Sequence, residues 1–196
     1  MGTNTLRKKR KQARIDAQRR FIRDKKRNLL AVAGPFQVVI VLDGLKPNFN
    51  IGKIFRSGDA FGIRKIHLVN TAFFDPAPAK GSFRWVPAVF DENFAACHKT
   101  LVDEGYHFFV FTPHSGKALH DVQLPERSAF VFGHEKFGFS FELNDYPNLH
   151  PVCIPQIGKV ECLNVSVAAS IAMYDYARQH PLQNTETTGL RLSSCS

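Results

Sequence analysis

Residues 36–44, Phe-Gln-Val-Val-Ile-Val-Leu-Asp-Gly, constrain the fold more than any other stretch. A strand with one face in water alternates apolar and polar residues. Here Val38, Val39, Ile40, Val41 and Leu42 follow one another without a break, the pattern of a strand covered on both faces by helices. Further strands are expected at 65–70, 106–113, 128–135 and 150–155. Residues 50–62 carry Ile51, Ile54, Phe55 and Phe61 at helical spacing, with Asn50 as N-cap and Gly62 as C-terminal stop. Residues 91–105 predict a second helix closed by Gly105. Residues 159–179 predict a third, buried helix with almost no polar face but with Glu161, Asn164 and Ser166 at its mouth. Strands alternating with helices predict an α/β fold with a mainly parallel sheet. Residues 71–90, with Pro76, Pro78, Gly81 and Pro87, read as a long loop. Its Lys80, Arg84 and Trp85 either engage a nucleotide or belong to an ordinary lid or edge loop.

Charge divides the chain. Twelve of the 26 Lys and Arg but only two of the 17 Asp and Glu fall within residues 1–30, so this segment carries +10 and the remainder −1. Ile15, Ile22 and Leu29 lie seven apart, which predicts an exposed helix with one thin apolar stripe. Ala33, Gly34 and Pro35 interrupt it. The expected division is a basic arm over 1–33, an α/β domain over 34–180 and a polar, disordered tail over 181–196. A clustered basic arm points to phosphate contact; the plain alternative is a solvated or targeting segment. No apolar segment suits a secretory signal or a membrane span. Asp16, Asp24 and the lysines speak against a transit peptide. Cys97, Cys153, Cys162 and Cys195 show no regular spacing, which fits a reduced, cytoplasmic protein.

Common cofactor motifs fail. There is no GxG for a dinucleotide fingerprint, no P-loop, HExxH or GxSxG. His150, Cys153 and Cys162 match no common zinc module, so no metal is expected. Three stretches remain. In residues 50–62, Gly52 stands one turn before Arg56, which leaves room for a ligand beside a guanidinium suited to phosphate; a surface Arg on an amphipathic helix is the bland alternative. In residues 132–138 a strand runs into Gly133 and Glu135, where α/β sheets bind ligands, or into a plain tight turn. In residues 154–166 a loop enters a helix at Asn164, which either caps it or does more.

In this order the three stretches resemble motifs of the SpoU–TrmH family of RNA ribose methyltransferases, in the SPOUT superfamily. The first resembles the segment Asn-x-Gly…Arg…Ala-Phe-Gly (Asn50, Gly52, Arg56, Ala60, Phe61, Gly62). The second resembles Gly-x-Glu-x-x-Gly (Gly133, Glu135, Gly138). The third resembles Ile-Pro…Ser-Leu-Asn-Val-Ser-Val-Ala (Ile154, Pro155, then 163–168). The resemblance covers residues 36–180. It implies a C-terminal trefoil knot, an exception to the threading rule. It also implies a homodimer and S-adenosylmethionine held at Thr112, Gly133, Ile154 and Leu163. The implied reaction is methyl transfer to a ribose 2′-OH of tRNA or rRNA, with Arg56 orienting a substrate phosphate and Asn50, Glu135 and Asn164 in support. Cys162 stands where the family has Ser, a weaker hydrogen-bonding group. Two other outcomes stay open: a non-catalytic RNA-binding protein on this fold, or an unrelated nucleotide-binding α/β domain.

Overall fold

A computed structural model of the chain describes residues 3–113 and 115–182. Residues 183–196, most of the stretch expected to be a disordered tail, lie outside the described residues. The strands are β1 (Val39–Asp43), β2 (Lys65–Val69), β3 (Ala88–Asp91), β4 (His107–Phe111), β5 (Lys117–Ala118), β6 (Ser128–Phe132) and β7 (Leu149–Cys153). The helices are α1 (Thr3–Asn28), α2 (Phe49–Ala60), α3 (Phe94–Asp103) and α4 (Val165–Gln179). The strands form one sheet, ordered β3-β2-β1-β6-β4-β7-β5, with every pairing parallel. β1 is buried at all five positions, as its unbroken apolar run requires.

Strand alternation sends side chains to two cores. Ile40, Leu42, Ile66, Leu68, Phe130 and Phe132 point toward α2 and α4, where they meet Ile54, Phe55, Ala172 and Met173. Val39, Val41, Val110, Ala129 and Val131 point the other way, toward Phe94, Cys97 and Leu101 of α3. Each face thus removes a continuous apolar layer from water.

The expected exposed helix at the N-terminus is found as α1, but only its first half is exposed. Ala17, Phe21, Asp24 and Asn28 are buried against the body, while Ile22 and Leu29, assigned to the apolar stripe, are 57% and 82% exposed. Phe21 packs among Phe73, Phe74 and Phe83, with ring centroids 5.1–5.8 Å away. The Asn28 amide donates to the carbonyls of Phe83 (2.6 Å) and Val86 (2.7 Å) and accepts from the Ala88 N–H (3.1 Å).

The sequence missed two strands. β3 falls where a loop gives way to a helix, and β5 is two residues long; both are too short to display a period. The residue 71–90 segment also holds two 3-10 turns, Ala77–Ala79 and Ser82–Arg84. α2 is capped by Asn48 rather than Asn50, which frees the Asn50 side chain. α4 begins at Val165, with the Asn164 side chain as its cap, so residues 159–164 are not helical; Val160 among them and Ile157 before them are exposed. Gly62 closes α2 with φ +62°, as its position suggested.

Candidate active site

β6, β4 and β7 are neighbours in the sheet and run in the same direction. Their C-terminal ends therefore release Gly133, Thr112 and Ile154 at one edge, the usual location of ligands in parallel sheets. A cavity of about 440 Å³ opens there, within the range of small-molecule sites. Thr112, Gly133, Ile154 and Leu163 all line it, together with Glu135, Asn164 and Cys162. Phe111, Phe132 and Phe139 supply apolar wall.

The polar mouth of α4 is held by a directed chain of hydrogen bonds. The Ser166 hydroxyl (2.6 Å) and backbone N–H (3.0 Å) donate to the Asn164 side-chain oxygen. The Asn164 amide donates to the Asn50 side-chain oxygen at 3.2 Å. The Asn50 amide donates to Glu135 at 2.7 Å. The chain ends on a carboxylate, which also accepts from the Lys46 N–H at 3.3 Å. Asn164 therefore caps α4 and also ties it to α2 and β6. Glu161 joins none of these bonds among the described residues. Partial burial pushes the Glu135 carboxyl up, but the bonds from Asn50, its own backbone N–H and Lys46, with His134 nearby, outweigh this and hold its pKa below the ordinary value. Glu135 is a fixed negative charge at neutral pH.

Two glycines are pressed against the chain itself. A Cβ on Gly133 would meet the Gly138 carbonyl oxygen at 2.7 Å, because residues 133–138 fold into a tight turn closed by His134–Gly138 backbone bonds. This turn is one of the two readings the sequence left open, and Gly133 also lines the first cavity. A Cβ on Gly52 would meet the Ala79 nitrogen at 2.9 Å, so the space beside Arg56 on that face of α2 is filled by the Ala77–Ala79 turn. Arg56 does not line the first cavity. It is exposed in a second, of about 730 Å³, between α2 and α4.

Sequence reasoning missed Gln156. Its side-chain oxygen is buried without a partner while the residue lines the first cavity, and a buried orphan acceptor calls for a donor. The sequence offered only its place in the loop leaving β7, the strand end at which ligands bind in parallel sheets.

An all-parallel α/β sheet with an apolar cavity and a polar rim at three adjacent strand ends defines a ligand-binding, doubly covered sheet protein. Residues 37–174 match the SpoU rRNA Methylase family, and the chain belongs to that family. A Staphylococcus epidermidis protein assigned to the TrmH family of tRNA/rRNA methyltransferases is 31% identical over 157 residues, covering 76% of this chain and 61% of that protein. The chain thus spans about three fifths of the length of this curated relative. A solved structure concerned with the 2-OH methylation of C/U34 on tRNA is 26% identical, with a TM-score of 0.64, over 74% of this chain and 97% of the other. The SpoU methyltransferase AviRb of Streptomyces viridochromogenes, solved with AdoMet, shares the fold at 24% identity and a TM-score of 0.65, over 76% of this chain and 59% of the other.

Proposed function

We propose that the protein is an S-adenosylmethionine-dependent RNA methyltransferase that modifies a ribose 2′-OH of tRNA or rRNA, and that it works as a cytoplasmic homodimer with a C-terminal trefoil knot. The observation that carries this reading is the Ser166–Asn164–Asn50–Glu135 chain at the rim of the first cavity. S-adenosylmethionine fits that cavity: the aromatic wall suits a nucleoside, the orphan Gln156 oxygen suits an amine, and Glu135 suits a positive charge. Thr112, Gly133, Ile154 and Leu163 would hold it. The Thr112 N–H is already bonded to Val152 at 2.9 Å, so its contribution comes from other atoms. The cofactor supplies a methyl group already activated by a positive sulfur.

The remaining task is alignment and charge. Asn50 and Asn164 are fixed by their mutual bond and fix the rim in turn. A guanidinium is a poor base and a bidentate donor to phosphate, so Arg56 serves as an electrostatic clamp on a substrate phosphate. Arg56 and the first cavity lie on different sides of the start of α4, which favours a dimer in which one protomer's Arg56 serves its partner's cavity. Val167 and Tyr174 of α4 are 46% and 60% exposed, apolar surface that a second copy would cover. No helix among the described residues is long and apolar enough to cross a membrane.

Incubation with labelled S-adenosylmethionine and unfractionated tRNA or rRNA, followed by nucleoside mass spectrometry, tests the reaction. Arg56→Ala is expected to lose at least about tenfold in turnover, equivalent to about 1.4 kcal/mol of barrier, while binding cofactor normally. Near-normal turnover removes Arg56 from the mechanism. The exposed Cys162 in place of the family's Ser supports a second reading, an RNA-binding protein without catalysis. Calorimetry showing no cofactor binding would favour that one.

A further inference from the structure

We propose that the second cavity is a phosphate-binding subsite for the RNA backbone, in which Lys53 and Lys80 act beside Arg56. This rests on the reading of RNA as substrate, and adds two residues outside the family motifs.

Lys53 and Arg56 lie three apart on α2 and so share a face, and Lys80 reaches the same cavity from the end of the Ala77–Ala79 turn. All three side chains are exposed. No acid lines the cavity, and none of the three forms an ion pair among the described residues. Three like charges around one concavity repel each other, and an anion bound among them offsets that repulsion.

The backbone is built to bring them together. Lys80 has φ +52°, a left-handed conformation that glycine adopts without strain and lysine does not. The Lys80 N–H is bonded to the Ala77 carbonyl at 3.2 Å, which holds the residue there. The turn can lie against α2 because position 52 has no side chain to block Pro78 and Ala79. Gly52 thus places Lys80 against the Lys53 and Arg56 face.

Ser57 donates to the Ser170 hydroxyl (2.7 Å), which donates in turn to the Ser166 carbonyl (2.7 Å), so these two serines tie α2 to α4 beneath the cations and leave the anion to Lys53, Arg56 and Lys80. Ser166, also in this lining, is the first member of the chain leading to Asn164 and the first cavity. In the proposed dimer a phosphate held here serves the rim of the partner's first cavity, where the ribose is to react.

The test uses the full chain, the double variant Lys53→Ser/Lys80→Gly, and Lys117→Ser as a control for a lone surface charge on β5. Glycine relaxes the backbone at position 80, so the variant folds at least as readily. Binding of a fluorescein-labelled oligouridylate is followed by anisotropy across a salt series. Two lost phosphate contacts flatten the log–log salt slope by about 1.4, at about 0.7 per contact on single strands. S-adenosylmethionine binding, measured by calorimetry, is expected to be unchanged. A wild-type slope in the double variant overturns the subsite, as does equal flattening per charge in Lys117→Ser or no binding by the wild-type protein. RNA binding with the expected slopes but no methyl transfer would leave the subsite standing and overturn the catalytic reading. Normal methyl transfer with an unaltered slope would do the reverse.

Discussion

Asn50 has two partners, and their chemistry fixes which way its amide faces. An ionised carboxylate only accepts hydrogen bonds, so the Asn50 NH₂ must face Glu135 and its oxygen must face Asn164. Asn164 then has to present its own NH₂ to Asn50, which leaves its oxygen for the Ser166 N–H and hydroxyl. One carboxylate therefore sets the orientation of Asn50, Asn164 and Ser166 at the start of α4. The same bonds hold the Glu135 pKa down against partial burial. A folded-state value below the unfolded one adds stability above the ordinary value near 4.5, and that contribution is lost as the pH falls through the depressed folded value. Asn50→Ala removes a bond that stabilises the charged form and leaves the burial that opposes it. Carboxyl-carbon NMR titration is expected to give Glu135 a pKa below 4.5 in the native protein and a higher one in the variant. Equal values in the two would mean that the Asn50 bond has no electrostatic role.

The helix that misled the sequence reading was α1, for a physical reason. Its buried face is Ala17, Phe21, Asp24 and Asn28, at helical spacing but half polar, so a search for apolar periodicity selects Ile15, Ile22 and Leu29 instead. Nothing local announces that Asn28 will satisfy three backbone groups nearly sixty residues away. Asn28→Ala would leave those groups buried without a partner. At about 1–3 kcal/mol for an unmade bond of this kind, a loss of roughly 2–4 kcal/mol is expected from denaturant unfolding. Ile22→Ala, on the exposed face, is expected to change stability by less than about 0.5 kcal/mol. Similar losses in the two variants would contradict the docking of α1. The Gly52 contact was hidden in the same way: the residue could be seen in the sequence, but the turn that fills its empty space comes from elsewhere in the chain.

Across the whole molecule, the features legible in the sequence were those written in consecutive residues. Central parallel strands display their burial as unbroken apolar runs, and ligands gather at strand ends, so the sheet and the residues of the first cavity were both accessible. The separation of Arg56 from that cavity was not, because it depends on how α2, α4 and the Ala77–Ala79 turn pack. The docking of α1 also alters how the basic arm has to be tested. Removing residues 1–30 would take Phe21 and Asn28 out of the core along with the charge. Loss of the Phe21 ring alone is of a kind that costs about 3–5 kcal/mol, so weakened RNA binding by that protein would report unfolding as much as electrostatics. Removing residues 1–14 instead takes away Arg7, Lys8, Lys9, Arg10, Lys11 and Arg14, upstream of the first buried residue, Ala17. The shorter deletion is expected to keep the thermal midpoint of the full chain and to flatten the salt slope of RNA binding. The limit is about 4 units if all six cations contact single-stranded phosphates. An unchanged slope with an unchanged midpoint would exclude the exposed half of α1 from RNA binding, whatever the role of its docked half.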